Sequence, residues 1–190
     1  NLESITGKYS TEDHRCLIKD NRLISFAPKG LTDYSIPEGV VSIGPCAFEE
    51  HQLTSVSLPS SLKQLEDRAF RASGLTSITI PESVKYIGAN AFGMGYGEYS
   101  TPWLRNRQKE NPVVVVNDIL VDATTAKGDI EIPEHVNYIA PKAFWNNQEV
   151  TSVTIPEGVE TIFAETFAYS EKLNFVQIPD TVTAIENGAF

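Results

Sequence analysis

The chain has 190 residues, 41% of them hydrophobic, and its 25 acidic and 15 basic residues give a formal net charge of −10 at pH 7. These values predict a folded chain with one continuous domain over residues 1–190, and they disfavour nucleic acid and anionic lipid as partners. The longest aliphatic run, at residues 113–116, is far too short for a membrane span. Residues 1–4 lack the basic start and apolar core of a signal peptide, so for an exported protein we expect the leader to have been removed.

The first predicted feature is an N-terminal hairpin insert at residues 7–30. Two apolar runs flank the polar pair Asp20-Asn21, which is typical of a β-hairpin. Residues 2–6 resemble strand pieces at 53–57 and 75–79, so the chain is expected to open inside a repeat unit. Because it ends on an apolar Phe without a polar cap, we expect it to be a segment of a longer array.

A thirteen-residue frame then recurs six times, in two predicted runs at residues 31–92 and 128–190. In every copy a Pro and a closing Phe stand eleven residues apart, and neighbouring copies are 22 or 23 residues apart except for one gap of 52. A period in this range is typical of a solenoid, in which each coil stacks on the previous one. The copies occupy residues 36–48, 58–70, 80–92, 132–144, 155–167 and 178–190.

Apolar residues take fixed places in each copy. One and three residues before the Pro they alternate with polar residues, which predicts a short strand that ends at the Pro because proline has no N–H to donate. Apolar residues three and six after the Pro, followed by Ala-Phe (Thr166 replaces Ala once), predict a tight helical turn that packs inward. The closing phenylalanines should form an internal column, made of Phe48, Phe70, Phe92, Phe144, Phe167 and Phe190.

The gap of 52 residues contains a second insert, predicted at residues 93–127. Thr101 as the N-cap, Pro102 at the first helical position and Pro112 beyond the end predict a short helix. The pair Asn117-Asp118 then lies between two apolar runs, as in the first hairpin. We interpret the two inserts as copies of one module, duplicated with its run of repeats, that extends or shields the edge of the stack.

The frame Leu-x-x-Ile-x-Ile-Pro-x-x-Val-x-x-Ile-x-x-x-Ala-Phe resembles the BspA-type leucine-rich repeat, and the insert segments at 15–21 and 101–108 are similar to those of bacterial members. The resemblance implies a leucine-rich-repeat solenoid: a curved, right-handed β/α-type superhelix, β-rich with short helical turns. It also implies export to a bacterial surface, and adhesive or host-protein-binding roles. The chain departs from the family in lacking the Cys often found after the Phe; that region holds His51, Ser73, Asn146 and Ser170.

Catalytic chemistry is not indicated. Residues 12–16 gather carboxylates, an imidazole and a thiol, but the other histidines, His51 and His135, lie in different coils, so we interpret the segment as a polar turn rather than a metal site. Neither Gly-x-Ser-x-Gly nor His-Glu-x-x-His occurs. The sequence therefore predicts no catalytic residues, metal or cofactor. Cys46 is expected to face solvent, and whether it is bridged to Cys16 is left open.

A partner is expected to bind the concave face of the solenoid, where strand residues two and four before each Pro point outward. Phe175 is the only large apolar residue of this row and the candidate anchor. Trp103, Tyr96 and Tyr99 on the insert are second candidates, although a Trp in that place more often packs a helix down. The row consists of Asp33, Ser35, Ser55, Ser57, Ser77, Thr79, Asp129, Glu131, Ser152, Thr154, Phe175 and Gln177.

These features favour a non-enzymatic protein-binding module, secreted or displayed on a bacterial cell surface, that acts as a monomer on a host protein or another bacterial surface protein. Two alternatives stay open. One is a passive spacer or assembly segment of a larger surface protein, which the small, hydroxyl-rich row would suit. The other is glycan binding, for which a single exposed Phe is thin support.

Overall fold

A computed structural model describes residues 2–94 and 99–190 as a β-solenoid with one short helix. The chain divides into two compact units, Asn1–Arg105 and Asn106–Phe190, which we call the N-terminal and C-terminal units. That the two form one continuous domain stays a prediction. The elements of the first part are β1 (Cys16–Lys19), β2 (Arg22–Phe26), β3 (Asp33–Ser35), β4 (Ser42–Ile43), β5 (Ser55–Ser57), β6 (Gln64–Leu65), β7 (Tyr86–Ile87) and α1 (Pro102–Glu110). They are followed by β8 (Val114–Val116), β9 (Ile119–Asp122), β10 (Gly128–Glu131), β11 (Tyr138–Ile139), β12 (Val150–Thr154), β13 (Thr161–Ile162), β14 (Phe175–Gln177) and β15 (Ala184–Ile185).

The predicted strand before the Pro is confirmed in five of the six coils, and the third coil forms only an isolated bridge at that place. In the N-terminal unit β3 pairs with β5 in parallel, and a single bridge joins Ser55 to Ser77 in the next coil. In the C-terminal unit β10, β12 and β14 form a three-stranded parallel sheet. These strands are called the pre-proline sheet of each unit. Parallel pairing follows from the repeat, because each coil brings the chain back in the same direction one strand spacing further on.

A second parallel ladder follows the Pro in most coils, and the sequence pattern did not predict it. It joins β4, β6 and β7 in the N-terminal unit, with each paired residue 22 positions after its partner. In the C-terminal unit β13 pairs with β15. These strands are only two residues long, too short for an alternating pattern to distinguish them from a turn.

Both predicted hairpins are confirmed, and each one starts this second ladder. The antiparallel pair β1–β2 turns at Asp20-Asn21, whose φ angles of 53° and 60° are left-handed, and β2 continues in parallel into β4. The antiparallel pair β8–β9 turns at Asn117-Asp118, and β9 continues into β11. The inserts therefore extend the sheet after the Pro. The predicted helix is also confirmed, with the backbone N–H of Leu104 donating to the Thr101 hydroxyl 3.1 Å away.

In the first five coils the segment around the closing Phe forms a pair of hydrogen-bonded turns instead of the expected helical turn, and the sixth coil forms the first turn of the pair. The residue nine after the Pro is left-handed in every coil: Cys46, Arg68, Asn90, Lys142, Glu165 and Gly188 have φ between 54° and 68°. A left-handed non-glycine residue costs roughly 1–2 kcal/mol. This cost is compensated by a hydrogen bond between coils, because the turn leaves the N–H of the Phe free to donate to the next coil. The Phe48 N–H donates to the Ala69 carbonyl at 2.8 Å, and the Phe70 N–H donates to the Ala91 carbonyl at 2.7 Å.

The phenylalanine column is confirmed within each unit. In the N-terminal unit the rings of Phe48, Phe70 and Phe92 are at most 1% exposed, and successive centroids are 5.1 and 5.8 Å apart. Phe26 of the hairpin lies at one end, 4.8 Å from Phe48, and Trp103 of α1 at the other, 4.5 Å from Phe92.

In the C-terminal unit Phe144 and Phe167 are buried, with centroids 5.0 Å apart. Phe190 stacks 5.3 Å from Phe167 but is 56% exposed. Each fully buried ring contributes roughly 1.5–3 kcal/mol by removal from water, so most of the column stabilises the stack and its last ring contributes less.

Candidate binding face

The twelve predicted face residues lie on the outward side of the pre-proline sheets, six in each unit. Nine of them are exposed, and Ser55, Ser152 and Thr154 are half-buried. They point outward because the residues between them, such as Val56 and Val153, are 3% and 0% exposed in the core. Their role in binding stays a prediction.

Strand register fixes the neighbours of each face residue in the N-terminal unit. Asp33 lies opposite Ser55, and Ser35 lies opposite Ser57. The bridge from Ser55 to Ser77 carries the first of these rows into the third coil. The result is a narrow strip of hydroxyl groups with one carboxylate at its start.

The C-terminal unit holds a more acidic and more apolar version of the strip. Its two rows run Asp129–Ser152–Phe175 and Glu131–Thr154–Gln177. The Asp129 carboxylate accepts hydrogen bonds from the hydroxyls of Ser152 at 2.7 Å and Thr151 at 2.8 Å, and these bonds hold the pKa of Asp129 below its ordinary value. Asp129 is therefore ionised and fixed in place at neutral pH.

Phe175 is 57% exposed and lies at the end of its row. It borders a shallow depression together with Ile178 and Phe190, which are also exposed. A large apolar ring held on a strand, beside hydrogen-bonding groups, is the kind of residue that anchors protein interfaces.

The second candidates on the insert differ from one another in the structure. Trp103 is only 9% exposed and packs on Phe92, so its contacts are those of a structural residue that holds α1 against the stack. Tyr99 is 45% exposed, with the Arg71 guanidinium 4.4 Å from its ring centroid. Tyr96 lies outside the described residues.

The two cysteines are not bridged. Cys46 is exposed, as expected, and Cys16 is buried. The Cys16 thiol donates to the Tyr34 hydroxyl at 3.3 Å, which in turn donates to the Asp13 carboxylate at 2.9 Å, and burial raises the pKa of Cys16 to about 11. A protonated thiol in such a network has a structural role, because it ties the first insert to the first coil.

Within residues 2–94 and 99–190, no group of three or more His, Cys, Asp and Glu side chains could hold a metal ion. Over the same residues, no helix has the length and apolar character needed to span a bilayer.

Comparison with known proteins decides the family. The sequence matches the BspA type leucine rich repeat region in six copies, over residues 23–97 and 122–190, which is well over half of the chain. The chain belongs to this BspA-type repeat family. A search of the curated proteins finds no match.

Several solved structures of bacterial leucine-rich repeat proteins are similar to this BspA-type chain. The T. pallidum leucine rich repeat protein TpLRR is 20% identical over 96% of this chain and 86% of its own, with a TM-score of 0.49. The pneumococcal vaccine antigen PcpA is 22% identical over 80% of this chain and 40% of its own, with a TM-score of 0.44. A leucine rich cell surface protein from Faecalibacterium prausnitzii is 25% identical over 82% of this chain and 59% of its own, with a TM-score of 0.37.

The polar residue three places after the Phe has a role in these BspA-type coils that was not predicted from the sequence. Asn147, not the neighbouring Asn146, is the buried residue of that region, at 1% exposure. Its amide donates to the carbonyls of Ala123 and Ala126, and its carbonyl accepts from two backbone N–H groups of its own loop. Ser170 holds the same place one coil later and donates to the Phe144 carbonyl at 2.8 Å. The sequence does carry a signal for this role, because the polar residue stands at a fixed distance of three residues after the Phe.

Asp122 is a second feature that the sequence pattern did not reveal. Its side chain is buried at the end of β9 and accepts from Gln108 of α1 at 2.7 Å and from the hydroxyl and N–H of Thr124 at 3.0 and 3.1 Å. These partners are neutral, so burial dominates and raises the pKa of Asp122 from 3.8 to about 6.

We predict that the stability of this BspA-type chain depends on pH through Asp122. Because the folded pKa lies above the unfolded one, the native state binds more protons between about pH 6 and pH 4, and this residue favours folding increasingly as pH falls through that window. Asp122→Asn removes that contribution. The unfolding free energy of the wild type, measured by urea denaturation, should gain on the order of 2 kcal/mol relative to Asp122→Asn between pH 7 and pH 4. Parallel curves for the two proteins would contradict the prediction.

Proposed function

We propose that this chain is a non-enzymatic protein-binding module, secreted or displayed on a bacterial surface, whose ligand is an extracellular protein of a host or of a neighbouring bacterium. The chain would act as a monomer, through the outward face of its pre-proline sheets. The proposal is supported above all by Phe175, a ring 57% exposed on a strand whose neighbours are hydroxyl and carboxylate groups.

The backbone supports this role because it holds the face rigid. β3, β10 and β12 each pair in parallel with the strand of the next coil, so the side chains of the face need little ordering when a partner binds, and preorganised groups cost less entropy on association. The chain belongs to the BspA-type family, for which the sequence resemblance implies export. This membership supports a place at the cell surface or outside the cell. A hydroxyl-rich face with a few carboxylates suits a polar or basic protein surface.

We predict that Phe175→Ala weakens binding to the partner by about tenfold or more, as loss of an aromatic anchor does. Ile185→Ala is the matched control: Ile185 is 53% exposed in the same final coil but lies in β15, on the sheet after the Pro. The measurement is biolayer interferometry of the purified chain against immobilised extracellular-matrix, plasma and bacterial surface proteins.

The control variant should bind within about twofold of the wild type. If the wild type binds none of the immobilised proteins saturably, the chain is better described as a spacer. If only a glycan array gives a specific response, the glycan alternative replaces the protein ligand. Equal binding by Phe175→Ala and the wild type would reject the outward face as the contact surface.

A further inference from the structure

The pre-proline sheet is interrupted at one junction between coils. At three other junctions the residue before the Pro donates its N–H to the carbonyl of the next coil: Ile36 to Ser57 at 3.0 Å, Ile132 to Thr154 at 3.1 Å and Ile155 to Gln177 at 3.0 Å. The corresponding bond between Leu58 and Thr79 is absent from the described residues, although the same two coils are joined just before it by the Ser55–Ser77 bridge and by the Thr76 N–H, which donates to the Thr54 carbonyl at 2.9 Å. The pre-proline ladder thus lacks one hydrogen bond, between Leu58 and Thr79.

A shallow depression of about 510 Å³, which we call the notch, lies at this junction on the predicted binding face. It is lined by the four face residues of the second and third coils, Ser55, Ser57, Ser77 and Thr79, and by Leu58 and Ile78. An interrupted ladder leaves a backbone donor at Leu58 and a backbone acceptor at Thr79 without a partner among the described residues. Groups of this kind gain most from a ligand that supplies the missing hydrogen bonds.

The charge of the notch indicates which kind of ligand it favours. Glu38 is the only charged side chain among the described residues that line it, and it is exposed. Its two carboxylate oxygens accept from the N–H and hydroxyl of Ser60 at 3.2 and 3.3 Å, which fixes its position but does not neutralise its charge. The whole chain has a net charge of −10. A ligand with a cationic group is favoured over a neutral or anionic one.

We propose that this notch, between Leu58 and Thr79, is the specific subsite of the binding face and takes an extended polypeptide segment of the partner that carries a Lys or Arg. From the outward side of the notch, a carbonyl of the segment accepts from the Leu58 N–H and an N–H of the segment donates to the Thr79 carbonyl, which supplies the two hydrogen bonds that are missing there. The cationic side chain pairs with Glu38. This subsite rests on the proposed function, because it identifies the part of an extracellular protein that the chain would recognise.

A random dodecapeptide display library, selected on the immobilised full chain, tests the notch without a known partner. We expect enriched peptides to be basic, and to lose about tenfold or more in affinity for Thr79→Arg, which fills the notch and repels cations. The matched control is Thr183→Arg, since Thr183 is also an exposed threonine but lies after the Pro of its coil, outside the pre-proline sheets. Its affinity should stay within about twofold of the wild type.

A second measurement keeps the test independent of how Thr79→Arg folds. In ¹⁵N-labelled wild-type chain, the Leu58 amide proton should shift downfield when an enriched peptide binds, and Glu38→Gln should weaken basic peptides selectively. The notch is rejected if no peptide is enriched, if enriched peptides bind Thr79→Arg as well as Thr183→Arg, if the Leu58 amide does not respond, or if a glycan competes for the notch. Binding of an extracellular protein that is insensitive to Thr79→Arg would reject the notch alone and leave the proposed function standing.

Discussion

Phe70→Ala is expected to lower the free energy of unfolding by about 3–5 kcal/mol. The Phe70 ring is 1% exposed and stacks between Phe48 and Phe92 with interplanar angles of 15° and 5°. Removing it takes away the burial of the ring and leaves a cavity whose walls are held apart by the coil-to-coil hydrogen bonds on both sides. The measurement is urea denaturation followed by circular dichroism.

Phe190→Ala is the control for this substitution. Phe190 holds the same place in the frame, but it is 56% exposed and contacts a ring on one side, Phe167. Its loss should cost about 1 kcal/mol or less, because little area leaves water there. Equal losses for the two variants would mean that the column does not carry the stability of the stack.

Asn147→Ala is expected to lower the free energy of unfolding by about 2–4 kcal/mol, an effect second to that of Phe70→Ala. Four hydrogen bonds disappear together, and the backbone groups of Ala126, Glu149 and Val150 lose this partner, whereas the Ala123 carbonyl keeps the bond from the Ala126 N–H. Each buried group left unsatisfied costs roughly 1–3 kcal/mol before water or relaxation compensates.

Two other coils provide a graded comparison at the same place. Ser170→Ala removes one bond, to the Phe144 carbonyl, and should cost about 1 kcal/mol. Ser73→Ala should be close to neutral, because the buried Ser73 hydroxyl has no hydrogen-bond partner among the described residues. Urea denaturation of the three variants should place Asn147→Ala well above Ser170→Ala and Ser73→Ala. A loss for Ser73→Ala as large as that for Asn147→Ala would show that the side-chain bonds are not the cause.

The sequence predicted those features that repeat with a fixed spacing. The Pro–Phe interval, the strand before the Pro and the burial of Phe48 or Phe144 all follow from side chains whose type is constant in every coil. Both hairpins and α1 were also predictable, since Asp20-Asn21, Asn117-Asp118 and Thr101-Pro102 are local signals that need no knowledge of the rest of the fold.

Other features depend on contacts between coils and have no local signature. Cys46, Lys142 and Glu165 adopt left-handed backbone although their residue types do not favour it, because the bond to the next coil compensates the cost. Phe26 and Trp103 close the N-terminal column from segments outside the frame. The notch at Leu58 is a missing hydrogen bond, which no pattern of side chains records.

Proton–proton nuclear Overhauser spectroscopy of the chain with selectively labelled phenylalanines tests the stacking of the coils most directly. Ring-to-ring cross-peaks are expected between Phe48 and Phe70, between Phe70 and Phe92, and between Phe144 and Phe167, whose centroids lie 5.1, 5.8 and 5.0 Å apart. If these rings gave cross-peaks only to aliphatic side chains of their own coil, or relaxed as freely exposed rings do, the coils would not stack as described and the binding face would have no scaffold.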